Sequence, residues 1–262
     1  MSAETLLRIR LFEPFRAQFG GRPPIDEHFP RRKAKALFVY LYLNRGRHLS
    51  KYQLLADLWP QAEHADPDRV KHTVQVLRAA LEGPRPTDGW QIIKERDGFY
   101  SFNLAAPRYC DAEEFEDQLM KARRTAQAGH PEVALQHYRR CLELHTGMFL
   151  AEFRYEDWAA VDIARHNELY LQGLEESAQL ESSAGNFDGA IELLRQAVVE
   201  DPLRESSYVE LMRYLWIKGQ RTEALRTYHR LREVLVRRLD VEPQAQTARL
   251  YEAIRQDQAL AV

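Results

Sequence analysis

Residues 185–190, Gly-Asn-Phe-Asp-Gly-Ala, and residues 219–224, Gly-Gln-Arg-Thr-Glu-Ala, share the pattern Gly-x-x-x-x-Ala and lie 34 residues apart. The same pattern occurs a third time at residues 129–134, Gly-His-Pro-Glu-Val-Ala. A period of about 34 residues is typical of helix–turn–helix repeats, in which each helix pair buries its apolar face only by stacking on the next pair. The second half of the chain is therefore predicted to be an all-α repeat scaffold that binds a partner.

The spacing of small and large side chains agrees with the tetratricopeptide form of such repeats. Around the second copy, the small residues expected at close helix contacts are Ala178, Ala190 and Ala197. In the third copy, Met212 and Leu231 stand at positions that usually carry small side chains. Cys141 takes a small buried position in the first copy, which favours core packing over a reactive thiol.

Composition limits the class of protein. The 262 residues are 45% hydrophobic and 29% charged, which is enough for two domains with cores of their own. No apolar run approaches the length of a membrane span, and residues 1–4 do not resemble the start of an export signal. Two cysteines are too few for a disulfide framework. A cytoplasmic protein without a membrane partner is expected.

The net charge of −2 hides an asymmetry between the two halves of the chain. Residues 1–107 carry 17 Lys and Arg against 12 Asp and Glu, a balance of +5, whereas residues 108–262 carry 20 against 27, a balance of −7. A basic half joined to an acidic half suits a nucleic-acid module fused to a partner-binding module. Ordinary variation between two domains explains the same balance equally well.

The first hundred residues begin with strands and a helix. Two β-rich runs at residues 6–12 and 15–19 precede a Gly20-Gly21 turn and a short return through residues 25–29. Helical periodicity starts after Pro30, and its single buried stripe is predicted to be Ala34, Leu37, Phe38 and Leu41.

Two further helices and a hairpin follow. Ser50 with Gln53 forms a capping box for the second helix, and Asp66 followed by Pro67 is a good start for the third. The third helix is predicted to stop at Gly83 and to bury a stripe of Val70, Val74, Leu77 and Leu81. Residues 92–102 then read as two short strands around a polar turn. This order predicts a winged helix-turn-helix, whose third helix enters the DNA major groove while the wing lies along the backbone.

The polar face of the third helix supports DNA binding. Opposite its buried stripe it is predicted to display side chains that bond base edges or phosphates, namely Arg69, Lys71, His72, Thr73, Gln75 and Arg78. Further cations for phosphate are Lys94 and Arg96 in the wing and Arg31, Arg32 and Lys33 at the start of the first helix. Without an anion nearby, such cations destabilise the helix, because the N-terminal end of the helix dipole is itself positive. The alternative is an ordinary amphipathic helix with a polar outer face.

Several phrases of this half resemble the winged helix of SARP-type transcriptional activators, which is similar to the output domain of response regulators. They are Leu11-Phe12, Pro14-Phe15, residues 30–37 (Pro-Arg-Arg-Lys-Ala-Lys-Ala-Leu), Leu58-Trp59, residues 77–81 (Leu-Arg-Ala-Ala-Leu) and Gly98-Phe99-Tyr100. One position departs from the family pattern, because Val76 stands where the family commonly has Arg. An aliphatic side chain there packs on a thymine methyl or faces the protein.

The second half resembles the bacterial transcriptional activator domain that follows this winged helix. The match rests on Asp111-x-x-x-Phe115, residues 201–205 (Asp-Pro-Leu-Arg-Glu), residues 219–228 and residues 239–243, where Asp240 replaces the usual Gly. Asp111 with Glu114 also forms a capping box. The resemblance implies a regulator that binds double-stranded promoter DNA as a dimer or on repeated sites and contacts RNA polymerase.

We therefore expect a winged-helix DNA-binding domain at residues 1–104, a linker at residues 105–110 and a tetratricopeptide-like bacterial transcriptional activator domain at residues 111–262. The expected function is sequence-specific activation of transcription. The alternatives are a protein-interaction adaptor and a small-molecule sensor whose repeats bind a peptide or a metabolite. No catalysis, cofactor or metal is expected, because His64, His72 and the other histidines lack ligand spacing and no phosphate-binding glycine loop occurs. The tryptophans Trp59, Trp90, Trp158 and Trp216 are interpreted as core residues.

Overall fold

The computed structural model describes residues 6–26, 28–29, 31–61 and 66–257. Their contacts group them into two compact units, one within Met1–Phe115 and Leu144–Asn167, the other within Glu116–Glu143 and Glu168–Val262. Pro30, predicted to precede the first helix, and His64 lie outside the described residues, as do residues 1–4. The domain boundaries at 104 and 111 stay predictions.

The first unit contains a three-stranded sheet. Its central strand β1 (Leu7–Arg10) pairs antiparallel with β2 (Arg16–Phe19) and parallel with a strand at Arg108–Cys110. Both predicted strands are confirmed, whereas the third strand lies in the stretch predicted as a linker. The predicted return through residues 25–29 forms one bridge, between Ala17 and Ile25.

The central helix of this unit is α1 (Arg32–Leu43). Every residue from Ala34 to Tyr42 is buried, Lys35 included. The predicted stripe of Ala34, Leu37, Phe38 and Leu41 is therefore buried. Burial extends beyond this stripe, because α1 contacts two later helices and a strand, at Lys51–Leu58, Asp68–Glu82 and Phe99–Phe102. Burial of Lys35 is tolerated because its ammonium group donates to the Glu152 carboxylate.

The helices α2 (Lys51–Leu58) and α3 (Asp68–Glu82) begin and end close to their sequence signals. Ser50 Oγ accepts a hydrogen bond from the backbone N–H of Gln53 at 3.2 Å, which confirms Ser50 as the N-cap of α2. α3 ends at Gly83, whose φ of 75° lies in the left-handed region that glycine adopts without strain. The predicted stripe of α3 is buried at all four positions, Val70, Val74, Leu77 and Leu81.

The wing is a small antiparallel sheet. A two-residue strand β3 (Leu49–Ser50) pairs with β5 (Phe99–Phe102), which pairs in turn with β4 (Ile93–Arg96). The β4–β5 turn is Asp97-Gly98, with φ values of 53° and 79°. Two successive positive φ values match the twist of a tight hairpin, so the predicted two-stranded wing is confirmed.

Asp111 connects the end of β1 to the start of α4 (Asp111–Gln127). Its carboxylate accepts hydrogen bonds from the backbone N–H groups of Leu11 at 2.8 Å and Phe12 at 3.3 Å, and from that of Ala112 at 2.8 Å. Asp111 therefore accepts hydrogen bonds from the chain just after β1 as well as from the first turn of its own helix. Burial raises the pKa of Asp111, while the backbone donors work against that rise. The strand just before it, Arg108–Cys110, is β6.

The rest of the described chain is mainly helical. The remaining α-helices are α5 (Pro131–Leu144), α6 (Asp157–Ser183), α7 (Phe187–Glu200), α8 (Glu205–Ile217), α9 (Arg221–Leu239) and α10 (Ala245–Arg255), and a 3-10 helix spans Ala151–Phe153. No helix among the described residues is long and apolar enough to cross a bilayer.

The Gly-x-x-x-x-Ala copies mark turns between successive helices, as predicted. Each begins with a glycine at the end of a helix, and Gly129, Gly185 and Gly219 have φ values of 79°, 79° and 74°. The alanine that closes each copy is fully buried, at Ala134, Ala190 and Ala224. The third copy accommodates large side chains, since Met212 and Leu231 are fully buried as well. Cys141 is also buried, and burial raises its thiol pKa to about 12, which confirms its core role.

The second unit is also held together by an ion-pair cluster around Arg204. The guanidinium group bonds Glu168 of α6 at 2.6 and 3.1 Å and Glu175, two turns along the same helix, at 2.9 and 3.0 Å. Hydrogen bonding to Arg204 lowers the pKa of both carboxyls, although burial partly offsets this at Glu175. Arg204 lies in the Asp-Pro-Leu-Arg-Glu phrase, so this phrase joins the start of α8 to α6.

Candidate nucleic-acid interface

The outer face of α3 is polar and mainly cationic. Of the residues predicted there, Arg69, Lys71, His72 and Gln75 are exposed and Thr73 is half-buried. Thr73 Oγ1 donates to the carbonyl oxygen of Arg69 at 2.7 Å. Among the acidic residues of α3, Glu82 is buried and Asp68 is exposed at the first turn. The middle of the exposed face therefore has no carboxylate of its own.

A depression of about 440 Å³ brings the start of α1 together with the outer face of α3. It is lined by six of the predicted residues and three others, namely Arg31, Arg32, Lys33, Arg69, His72 and Thr73, with Ala34, Trp59 and Val76. Lys33 Nζ donates to the carbonyl oxygen of Leu58 at 2.6 Å and lies 5.9 Å from the Trp59 ring centre. Val76 thus contributes an apolar group at the edge of a cationic surface.

The basic start of α1 has acidic neighbours within the same unit. Arg32 Nη2 lies 3.0 Å from Glu156 Oε1, while 58% of the Arg32 side chain remains exposed. Glu152, which bonds Lys35, lies four residues before Glu156. The anion that this helix start needs is therefore supplied in part by the chain itself. A phosphate that binds Arg32 has to compete with this ion pair, whose Glu156 side chain is only 19% exposed.

A second depression, of about 560 Å³, lies between α3 and the wing. Its lining includes Gln75, Arg78 and Lys94 from the predicted set together with Arg85 and Trp90. Lys94 Nζ donates to the carbonyl oxygen of Trp90. Two predicted residues line neither depression, Lys71 on α3 and Arg96. The Arg96 side chain is 87% exposed at the tip of the wing, 3.5 Å from Asp97.

The prediction that Arg78 is displayed on the outer face of α3 is wrong. Arg78 is 7% exposed, and its Nη2 and Nε donate to the carbonyl oxygen of Ile93 at 2.9 and 3.3 Å. Its Nη1 lies 3.4 Å from a carboxylate oxygen of Glu95, and its guanidinium carbon lies 5.3 Å from the Trp90 ring centre. The side chain is drawn inwards because the start of β4 offers both a carbonyl and a carboxylate.

Glu82 makes the complementary contact one turn further along α3. Its carboxylate accepts hydrogen bonds from the backbone N–H groups of Gln91 and, at 3.0 Å, Ile92. Arg78 and Glu82 together attach the wing to the C-terminal half of α3. Next to them, burial and the Glu95 carboxylate raise the pKa of Tyr100, while the charge of Arg78 works against that rise.

The sequence did not point to Arg85, which lines the wing depression. It also did not point to the first turn of α2, outside both depressions, where the half-buried Lys51 has its Nζ 5.3 Å from the ring centre of the exposed Tyr52. The position of Lys51 and Tyr52 directly after the Ser50 cap could have indicated a phosphate contact, because phosphate binds well at helix N-termini. The four tryptophans interpreted as core are each half-buried, and Trp59 and Trp90 line the two depressions.

The fold and this surface define the class of protein. A winged helix whose third helix presents a cationic, hydrogen-bonding face, followed by stacked helix pairs, is the architecture of a DNA-binding transcriptional regulator.

The chain belongs to the family of the bacterial transcriptional activator domain, whose sequence model matches residues 110–255. It is 25% identical over 228 residues to the regulatory protein DnrI of Streptomyces peucetius, which covers 85% of this chain and 84% of DnrI. It is 24% identical over 223 residues to the transcriptional regulatory protein MoaR1 of Mycobacterium tuberculosis, with 85% of this chain and 71% of MoaR1 covered. The SARP-type resemblance is confirmed by these relatives.

A solved structure confirms the fold over almost the whole chain. Mycobacterium tuberculosis EmbR, in complex with a low-affinity phosphopeptide, matches with a TM-score of 0.77 at 22% identity. The match covers 97% of this chain and 66% of the EmbR chain. The winged helix followed by a tetratricopeptide-like all-α region is therefore shared with EmbR.

Proposed function

We propose that this chain activates transcription by placing α3 in the major groove of promoter DNA and the β4–β5 wing along the phosphate backbone. The observation that carries the proposal is the cationic and hydrogen-bonding surface formed by the start of α1, the outer face of α3 and the wing. Its members come from separate elements of one winged-helix unit, as is required of a module that places one helix in a groove and a wing along the backbone.

The exposed side chains of this surface divide by chemistry into base and phosphate contacts. Gln75 matches adenine through two hydrogen bonds, and Lys71 and His72 offer donors to the acceptors of guanine. The groups assigned to phosphate are Arg31, Arg32, Lys33, Arg69, Thr73, Lys94 and Arg96. Arg78 is assigned to holding the wing rather than to a base, because its guanidinium group is already used within the protein.

The second half is proposed to act as the partner-binding part of the regulator. Self-association, contact with RNA polymerase and reception of a signal are the three uses that suit a helical-repeat surface. Binding as a pair on repeated sites follows if the repeats associate. The proposed segments stay residues 1–104, 105–110 and 111–262, and no catalysis is proposed for them. A promoter-binding bacterial protein works in the cytoplasm, where the chromosome lies.

Selection of genomic fragments by the purified full-length chain tests the proposal. Enriched fragments are expected to share a sequence motif, and their affinity is expected to fall steeply with salt, by about 0.9 in log K per log unit of salt for each phosphate contact. A Lys71→Ala/Gln75→Ala double variant is the matched control, because both side chains are exposed and the variant should fold normally.

Two results would contradict this function. Failure to enrich any fragment, or an affinity that does not change with salt, argues against DNA binding. A protein partner recovered from nuclease-treated lysate, together with no enriched fragment, would favour the adaptor instead. A reporter gene placed behind an enriched fragment distinguishes activation from repression.

A further inference from the structure

The exposed face of the β2-β1-β6 sheet carries an unusual set of side chains. Side chains alternate along a strand, and Leu7, Ile9 and Ala17 are fully buried on the inner face. Their neighbours therefore share the outer face, and the strand register aligns them across the sheet. These outer residues are Arg8, Arg10, Arg16, Gln18 and Tyr109.

Two arginines on this face, Arg8 and Arg16, form no side-chain ion pair or hydrogen bond with another residue in the described part of the chain. Arg10 reaches Thr146 Oγ1 at 3.5 Å, and its charge helps to lower the pKa of the buried Asp111 carboxyl. Arg10 and Arg16 are directly opposite each other in the register. Like charges in that position destabilise a strand pair. The charge of Arg10 is offset in part by Asp111, whereas the facing charge of Arg16 is not, and an anion between the two guanidinium groups would relieve the remaining repulsion.

An aromatic ring and an amide stand beside the arginines. Arg8 is in register with Gln18 on one side and with Tyr109 on the other. Tyr109 is 39% exposed. Gln18 Nε2 donates to the carbonyl oxygen of Arg22 at 2.7 Å, which holds the amide in place. Together these side chains line a depression of about 370 Å³, within the size range of small-ligand sites.

We propose that this sheet face binds a free nucleotide. The planar forks of Arg10 and Arg16 suit the phosphate oxygens, because guanidinium groups bind phosphate through paired hydrogen bonds. The Tyr109 ring offers a stacking surface for the base, as aromatic side chains on exposed sheets do for nucleic-acid bases. None of these five residues lines either depression of the candidate DNA interface, so the site is separate from the proposed function.

The chemistry of the face favours a nucleotide over other anions. An acidic peptide would pair with the arginines but would not require the exposed ring next to them. A DNA duplex is recognised by a helix or ribbon that enters a groove, whereas this face is a concave depression on a sheet. A nucleotide uses the phosphate forks and the ring at the same time.

Calorimetric titration of the full-length chain with ATP tests the proposal, with pyrophosphate and adenosine as separate ligands. One saturable ATP site is expected, with pyrophosphate weaker and adenosine weaker still. Arg16→Gln should weaken ATP binding about tenfold or more. The same variant should leave Tm unchanged or higher, because it relieves the repulsion of Arg10. Weaker ATP binding without a lower Tm would show that Arg16 contacts the ligand and does not act by stabilising the fold.

A second variant tests the part assigned to the base. Tyr109→Leu should weaken ATP binding about 5- to 100-fold, the range for loss of one stacked base, and leave pyrophosphate binding unchanged. The control is Arg226→Gln, which removes the same charge from a side chain that is 74% exposed on α9. It should change neither ATP binding nor pyrophosphate binding.

Four outcomes would overturn the nucleotide site. They are the absence of saturable ATP binding, an Arg16→Gln variant that binds ATP as well as the wild type, equal affinity for ATP and pyrophosphate, and displacement of ATP by a duplex fragment. A single-stranded oligonucleotide that binds more tightly than ATP through the same residues would also overturn it, because the ligand would then be a nucleic acid.

Discussion

The guanidinium group of Arg78 on α3 donates two hydrogen bonds to the carbonyl oxygen of Ile93 on β4, at 2.9 and 3.3 Å. Glu82 makes the reciprocal contact with the backbone N–H groups just before that strand. Two buried charged residues, four positions apart on α3, thus hold the wing. The placement of Lys94 and Arg96 along a DNA backbone depends on this connection.

Replacing Arg78 by Met should lower the free energy of unfolding by about 2–4 kcal/mol, because Ile93 and Glu95 lose their donor at a buried position. Affinity for DNA should fall by a similar factor for specific and random sequences, since the wing loses its anchor. Urea unfolding and gel-shift titration measure the two effects.

The matched control for Arg78→Met is Arg96→Met, which removes an exposed cation from the wing. Its free energy of unfolding should stay within about 0.5 kcal/mol of the wild type. If Arg78→Met instead keeps full stability and changes only the preferred base sequence, Arg78 contacts a base and the anchoring role is wrong.

Replacing Gln75 or Lys71 by Ala should weaken specific binding more than binding to random DNA. Loss of a base contact is expected to cost about 1–3 kcal/mol of discrimination, whereas the electrostatic background stays nearly the same. Competition titration with selected and scrambled duplexes measures the ratio. An equal loss on both duplexes would mean that these side chains contact only the backbone.

Local signals in the sequence predicted most elements of the fold. The Ser50 cap, the stripe from Val70 to Leu81 and the Gly-x-x-x-x-Ala turns depend on neighbours within one or two helical turns. Such interactions are encoded in a short window, and the structure places them as predicted.

The errors at Arg78 and at β6 have different causes. Val74, Leu77, Arg78 and Leu81 follow the spacing i, i+3, i+4, i+7, so the period alone puts Arg78 on the buried side of α3. Its residue type indicated the surface, and its partner Ile93 is 15 residues away. β6 pairs with a strand about a hundred residues earlier, and three residues carry too little pattern to reveal it. Neither contact can be derived from a local window.

Arg32 offers a test of phosphate contacts at the start of α1. Arg32→Ala should weaken specific and random binding alike, and the salt dependence of log K should fall by about 0.9. Glu156→Gln should have the opposite effect, because it removes the carboxylate that lies 3.0 Å from the Arg32 guanidinium group. An increase in DNA affinity of about two- to fivefold is expected at low salt, because the Arg32 side of this ion pair is exposed to solvent and the pair is correspondingly weak.

The combination of these two changes is the control. In an Arg32→Ala background, Glu156→Gln should raise DNA affinity by less than it does in the wild type, because the arginine that this change would release is no longer present. Asp188→Gln removes one acidic charge from an exposed ion pair on α7 and should leave DNA affinity unchanged. If Glu156→Gln strengthens binding equally with and without Arg32, the effect comes from net charge and not from release of this side chain.

His145 lies in an aromatic cluster of the first unit. Its ring centre is 5.0 Å from that of Phe12 and 6.4 Å from that of Phe115. Burial, with a smaller contribution from the neighbouring His166, lowers the pKa of His145 to about 4. The ring of His166 itself stacks on Phe149 at 3.8 Å.

The stability of the first unit should therefore fall in mild acid. The folded pKa of His145 lies below its unfolded value of about 6.5, so the unfolded chain binds a proton more readily between these values. The contribution of the neutral His145 to the free energy of unfolding is fully present above pH 6.5 and is lost as the pH falls towards 4. The change in the free energy of unfolding is on the order of 2–3 kcal/mol. Urea unfolding between pH 7.5 and 4.5 measures it. His145→Gln should flatten this dependence, whereas His130→Gln, at an exposed position, should leave it unchanged. A His145→Gln curve parallel to that of the wild type would assign the acid sensitivity to other groups.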